Sequence, residues 1–366
     1  MEAEKAALSG QVRNLDARRS PAIWRAIDLH RTISIRWPSM RITGWSRATP
    51  AEAEALAALF QRAEAVAPVG MEQRAEDVQN RLVTLGPDSA GRTRVGRDDT
   101  GSVAAYGEVA DMGTADDVLR IRLTNVFHPD IADDVRAELH HWLIDQAKQL
   151  RDSRGSARAV LGTRSAENDR AGRELLIRGG FALARHERDL ALAVPDEPSA
   201  PALPPGLVLT PVDERYDELA RLAHNEAYAD SPTAVRPDQR TWPQHATGHP
   251  RFLPDLSCLV LAEADRSDNP VAAFLFALAD GSTDTPTVVL HCLGTRAAWR
   301  RSGLATAMIS RVLHRARSAG VRQLRLKVTD SNHPALALYR KLGFVESGQG
   351  FAVLMRQLTP EADEQP

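Results

Sequence analysis

From residue 288 the chain carries six strand-like positions with a single polar interruption. Val288, Leu290 and Cys292 share one face of a period-two pattern and Val289, His291 and Leu293 the other, which predicts a largely buried strand. Gly294 and Thr295 break it. Beyond Arg296, Ala297, Ala298 and Trp299 the spacing turns helical, with apolar positions at 304, 305, 308, 309, 312, 313 and 316 in one stripe, and Gly320 stands where a left-handed residue closes a helix. Leu324, Leu326 and Val328 then alternate with Gln323, Arg325 and Lys327 as a strand with one buried face. Thr329, Asp330, Ser331 and Asn332 turn the chain, and Pro334 sits near the first position of a short helix. Ala335, Leu336, Leu338, Tyr339 and Leu342 run along that helix, Gly343 ends it, and Phe344 opens another strand.

The first half repeats this order. A strand from Arg41 leads into a helix entered at Thr49 and Pro50 and running to Ala67, a second helix over 75–85, strands over 91–98, 102–110 and 118–127, a helix over 133–150, a strand over 157–162, a helix over 169–178 and a strand over 181–194. After a Pro-rich stretch the pattern restarts at Gly206, with helices through 219–228 and near Trp242 and strands over 256–263 and 271–279. Asn168, Leu175-Leu176 and Gly180-Phe181 stand as Asn332, Leu338-Tyr339 and Gly343-Phe344 do, and 126–129 stands as 293–297 does. Residues 1–39 are mildly basic with weak periodicity and are expected to form a poorly ordered or partly helical extension, with the working protein beginning at Met40.

The chemistry lies where the strand of residue 288 meets its helix. The first N–H groups of a helix have no internal partner and carry the positive end of the macrodipole, so an anion such as a pyrophosphate is stabilised there. Gly303 lets a ligand approach the backbone, Ala305 allows close helix packing, and Arg300 and Arg301 add positive charge.

Arg300-x-x-Gly303-x-Ala305 after a strand, followed by Asn332, Ala335, Leu338-Tyr339 and Gly343-Phe344, resembles the two signature segments of the GNAT superfamily of acyl-coenzyme A-dependent N-acyltransferases. The resemblance implies an α/β (α+β) fold of two tandem GNAT-type domains, each a mixed, mostly antiparallel twisted sheet flanked by helices. The boundaries expected are a degenerate domain over 40–195, a linker over 196–205, an active domain over 206–360 and a tail over 361–366. Acetyl-coenzyme A is the implied co-substrate. Its implied contacts are Leu293, Gly294, Thr295, Arg300, Arg301, Ser302, Gly303, Leu304, Ala305, Thr306 and Asn332, with Tyr339 protonating the departing thiolate. Together with 224–227 and His249-Pro250-Arg251-Phe252, the arrangement is similar to actinobacterial tandem GNAT proteins of the mycothiol-synthase-like kind.

The general base departs from the family pattern, because Val289 stands where many members carry a strand glutamate. His291 on the same strand face, Glu226 acting through water, and no base at all for an amine that arrives neutral are the alternatives. Aligned on Pro129, the first half has Ala132, Val135 and Ala137 where the second has Arg300, Gly303 and Ala305. Asp133 and Asp134 lie where phosphate oxygens would sit, and Leu176 replaces the tyrosine, so the first domain is expected to have lost coenzyme A binding.

Composition narrows the partners. A formal charge of −2 argues against an obligate nucleic-acid partner, and no run of eighteen apolar residues or signal-peptide core occurs, so a cytoplasmic enzyme, monomeric or homodimeric, is expected. Cys258 and Cys292 lie in apolar runs and read as buried thiols, a catalytic thiol being the sharper alternative. His245 and His249 have i, i+4 spacing, but Gly248 and Pro250 argue against a helix there and no metal is expected. The function expected is N-acetyl transfer to a primary amine of a small molecule; a non-catalytic acyl-coenzyme A-binding sensor or scaffold is the alternative.

Overall fold

The structure is a computed structural model, and it describes residues 40–70, 74–84, 92–198, 203–231, 234–262, 269–280, 285–348 and 350–359. The extension expected over 1–39 and the tail expected over 361–366 lie outside the described residues.

In the first half, β1 (Gly44–Ser46), α1 (Ala53–Val66) and α2 (Ala75–Thr84) precede β2 (Thr93–Arg97), β3 (Val103–Ala115) and β4 (Val118–Phe127). Then come α3 (Asp133–Ser153), β5 (Ala159–Ala166), α4 (Arg170–Arg178) and β6 (Ala182–Ala193). The second half runs β7 (Leu207–Pro211), α5 (Asp217–Ala227), the single turn α6 (Trp242–His245), β8 (Cys258–Ala262), β9 (Val271–Ala279) and β10 (Thr287–Thr295). It ends with α7 (Leu304–Ser318), β11 (Gln323–Thr329), α8 (His333–Lys341), β12 (Val345–Glu346) and β13 (Phe351–Leu358).

These strands form one mixed, mostly antiparallel sheet of order β1-β2-β3-β4-β5-β13-β6-β11-β10-β9-β8-β7, with β12 on β6. Among the named strands of the described residues, β4 with β5 and β10 with β11 run parallel. The centre of the sheet is a reciprocal exchange. β13, the last strand of the second half, pairs with β5 along its whole length and with the first part of β6. The second part of β6, the last strand of the first half, lies between β11 and β12. Each half is completed by a strand of the other.

Alternation along the strands sorts side chains into two layers. Leu324, Leu326 and Val328 of β11 join Met308, Ile309, Val312 and Tyr339 in a core under α7 and α8, and Leu119, Ile121 and Leu123 of β4 do the same under α3. On the opposite face α1 and α2 cover Val95, Val103 and Tyr106, while α5 and α6 cover Phe274 and Phe276.

The period-two reading of β10 fails at one place. Pairing with β9 steps from Leu290↔Ala277 to Cys292↔Phe276, so His291 is an extra residue in a β-bulge. The bulge resets the alternation: Cys292 packs in the α5 and α6 layer instead of beside Val288 and Leu290, and Leu293 packs against the α7 core.

Candidate active site

β10 and β11 pair only from Thr287↔Gln323 to Val289↔Arg325 and then diverge. Among the described residues no strand pairs with the edge of β10 that faced β11 from Leu290 onward, so backbone groups there that no side chain engages are available to a ligand. Gly294 lies on this splayed stretch, and a Cβ on it would stand 2.2 Å from the Phe274 ring, which is fully buried among aromatic neighbours. Gly294→Ala should therefore destabilise the fold by about 1–3 kcal/mol through overpacking. In denaturant titration it should lower the midpoint at unchanged slope; an unshifted midpoint would show that the ring yields.

The splay leads to the turn before α7. Arg301 and Gly303 both adopt left-handed backbone, at φ 63 and 79. A non-glycine residue in that region costs on the order of 1 kcal/mol, so the turn is held against a local preference. Gly303 is the N-cap of α7; no side chain caps it, and a Cβ there would meet nothing within 4 Å. Arg301, Ser302, Gly303 and Thr306 are exposed, whereas Leu304 is buried in the core and anchors the first turn. The result is an open, uncapped, glycine-led helix start beside two arginines, which is chemistry suited to a polyphosphate.

Arg300 is engaged elsewhere. Its guanidinium binds Asp230 at 2.9 Å, the Ala227 carbonyl at 3.0 Å and the Thr295 carbonyl at 3.3 Å, so it ties the end of α5 to the turn. Asn332 caps α8, its Oδ1 accepting from the Ala335 N–H at 3.2 Å. Tyr339 is 8% exposed, packs on Phe344 at 5.6 Å, and burial raises its hydroxyl to about 12. The Tyr228 hydroxyl donates to the Leu293 carbonyl at 3.1 Å, a contact to the splayed strand that no motif signalled.

The candidate bases are differently placed. Glu226 is ion-paired with Arg296 at 2.6 Å. His291 is exposed at the surface, yet the protein atoms around it and then His249 depress its imidazole to about 4. Its Nε2 donates to the His245 carbonyl at 3.1 Å, which leaves Nδ1 as acceptor.

Near His291, a basic surface lies over the exchanged strands. Arg164 of β5 and Lys327 of β11 lie over the Phe351 ring of β13 at 4.8 and 5.5 Å. The loop after α1 meets both cations, with the Val69 carbonyl 3.1 Å from Arg164 and the Gly70 carbonyl 3.4 Å from Lys327. Burial lowers the Lys327 amine, and Arg164 adds to the effect. Both halves thus contribute to one basic surface.

The first half lacks an equivalent turn. Five residues, 128–132, separate β4 from α3, against eight, 296–303, between β10 and α7. The N-cap is Ala132 in extended backbone, so Ala132 and not Val135 stands in the place of Gly303. Met40 pairs across this loop, its N–H donating to the Asp130 carbonyl at 2.8 Å and its carbonyl accepting from the Ala132 N–H at 3.0 Å. Asp169, and not Asn168, is the counterpart of Asn332, capping α4 through the Gly172 N–H at 3.0 Å; Asn168 donates to the Val66 carbonyl at 2.7 Å. Where β4 and β5 separate, the Thr163 hydroxyl bonds Asn125 at 3.0 Å and bridges the gap.

Comparison with known proteins agrees with this geometry. The acetyltransferase (GNAT) family model matches residues 217–344. A mycothiol acetyltransferase of Thermobispora bispora is 31% identical over 167 residues, 44% of this chain, and the match spans about half, 53%, of that protein's length. Two solved structures share the fold. A GCN5-related N-acetyltransferase from Sphaerobacter thermophilus superposes with a TM-score of 0.64 at 19% identity, covering 87% of this chain and 96% of the other. A tandem GNAT protein from the clavulanic acid biosynthesis pathway does so with 0.61 at 14% identity, covering 87% and 99%. The second half of the chain thus matches the GNAT acetyltransferase family, and the sheet as a whole shares its fold with a tandem GNAT protein.

Proposed function

We propose that the protein transfers an acetyl group from acetyl-coenzyme A to a primary amine of a small molecule, with the second half binding the co-substrate and carrying the chemistry. The observation that carries this reading is the left-handed turn at Arg301 and Gly303 opening an uncapped helix at the strand splay. The pyrophosphate would lie against the N–H groups of Leu304, Ala305 and Thr306, with Ser302 and Arg301 beside it, and the pantetheine arm along the open edge of β10 at Leu293, Gly294 and Thr295. Arg300 and Asn332 serve this site by holding α5 and α8 in place, given the bonds they make.

The acceptor approaches over the basic surface of Arg164 and Lys327 and attacks the thioester carbonyl directly. Backbone N–H groups of the splayed strand stabilise the oxyanion, and Tyr339, kept protonated by burial, returns a proton to the departing thiolate. Glu226 is committed to Arg296, so an amine arriving neutral is the form in which the step runs without a carboxylate base. The first half contributes to the acceptor surface through Arg164 and the loop at Gly70. Its short turn, bridged by Met40, and Asp133 and Asp134 in the first turn of α3 all disfavour a second coenzyme A.

A non-catalytic acyl-coenzyme A sensor is the second reading, favoured by Val289 at the position of the strand glutamate. One pair of measurements separates them. Calorimetric titration of acetyl-coenzyme A into the full chain should show one site, and a Gly303→Glu variant should bind about tenfold to hundredfold more weakly, since a carboxylate near a phosphate costs about 1–3 kcal/mol at surface dielectric. Thiol release on adding an amine library marks an enzyme; binding without release under all amines favours the sensor, two sites overturn the assignment of the first half, and none overturns the co-substrate.

A further inference from the structure

The bulge in β10 brings Cys292 to face two histidines that lie far away in sequence. His224, from the last turn of α5, and His245, the last residue of α6, point their Nε2 atoms at each other at 3.2 Å, and the Cys292 sulfur is 3.6 Å from His245 Nε2. The three potential ligand atoms all lie within 4.8 Å of one another.

The hydrogen bonding fixes what His224 offers. Asn225 Nδ2 donates to the Pro237 carbonyl at 3.0 Å, so its Oδ1 is the atom that faces His224 Nδ1 at 3.1 Å. Nδ1 must then carry the ring proton, and Nε2 presents a bare lone pair toward His245 and Cys292. A side-chain carbonyl that holds the far nitrogen of an imidazole is the outer support found around metal-binding histidines. Burial keeps both imidazoles neutral at ordinary pH, His224 at about 4 and His245 well below its usual range, so each has a lone pair to give.

We propose that His224, His245 and Cys292 form a zinc site. Two imidazole nitrogens on one tetrahedral zinc stand about 3.3 Å apart and a nitrogen and a thiolate about 3.5 Å apart, from bond lengths of about 2.0–2.1 and 2.3 Å. The 3.2 Å between the two imidazoles and the 3.6 Å between His245 and Cys292 match these, and the third pair lies within 4.8 Å. Three protein ligands leave a fourth position to water, and the partly exposed edge of His245 supplies the way in. Binding deprotonates Cys292, whose thiol burial raises to about 12, and releases that proton to solvent, so metal and proton compete for the sulfur. The ion would clamp α5 and α6 onto the bulge of β10. This goes beyond the proposed acetyl transfer and does not depend on it.

The test uses the full chain without a histidine tag. The protein is freed of metal with a chelator, dialysed against zinc, and its metal content measured; about one zinc per chain should be retained. Cobalt(II) on the same protein should give a near-ultraviolet thiolate-to-cobalt band and the visible bands of a tetrahedral ion. Cys292→Ser should abolish the thiolate band, Asn225→Leu should weaken zinc binding roughly tenfold to hundredfold, and His141→Gln, on the far side of the sheet, should change neither. Wild-type protein that retains no zinc, a cobalt spectrum without the thiolate band, or an unchanged band in Cys292→Ser would each overturn the site.

Discussion

Tyr339→Phe is expected to lower kcat about a hundredfold to a thousandfold while leaving acetyl-coenzyme A affinity and stability nearly unchanged. The size is that of removing a positioned proton donor from a step that releases an anion. The split between kcat and affinity follows from the surroundings: the ring is fixed by Leu336 and Phe344 in the core under α8, and phenylalanine keeps that packing. Burial disfavours the phenolate and holds the hydroxyl at about 12, so the proton is retained across the neutral range and lost only as pH rises through that value. Steady-state kinetics beside calorimetric titration checks both halves of the expectation. An unchanged kcat would make Tyr339 a core residue and move the acid elsewhere, with Tyr228 the nearest alternative because its hydroxyl already reaches the Leu293 carbonyl.

How much of this was legible before the structure depends on whether the signal was local. The α7 stripe, the glycine at its start, the turn at 329–332 before α8 and the tandem order of elements are local patterns, and each is found where the period and the punctuation put it. The offset between halves is not legible locally. A loop three residues shorter carries no periodicity to align on, so Ala132 and not Val135 stands in the place of Gly303. The bulge at His291 was invisible for a related reason: an extra residue preserves the apolar count of a strand while exchanging its faces. That one step separated Cys292 from its expected neighbours and joined it to His224 and His245, which no spacing rule connects. His245 was weighed with His249 at helical spacing, but in the structure its metal-facing partners come from α5 and β10.

The exchange of β6 and β13 predicts that neither half folds alone. A fragment of residues 40–198 would keep α3 and β5 but lose β13, whose Ala352, Leu354 and Leu358 are completely buried in the core under α3. A fragment of residues 203–359 would lose β6 from beside β11, and with it Leu190 from the core under α7. Each loss removes a central strand and exposes a long edge, which leaves unpaired backbone groups in the middle of the sheet and a template for aggregation. Burying one side chain such as Leu354 contributes about 2–5 kcal/mol against alanine, so a whole strand exceeds the typical stability of a domain of this size. The full chain should therefore melt in one cooperative transition monitored by both circular dichroism and tryptophan fluorescence. Separately expressed halves should be insoluble or lack a transition, and refolding them together should restore it. A cooperative transition in either fragment alone would show that its sheet closes without the borrowed strand, and would make the central pair β6 and β13 an interface between two domains instead of the core they share.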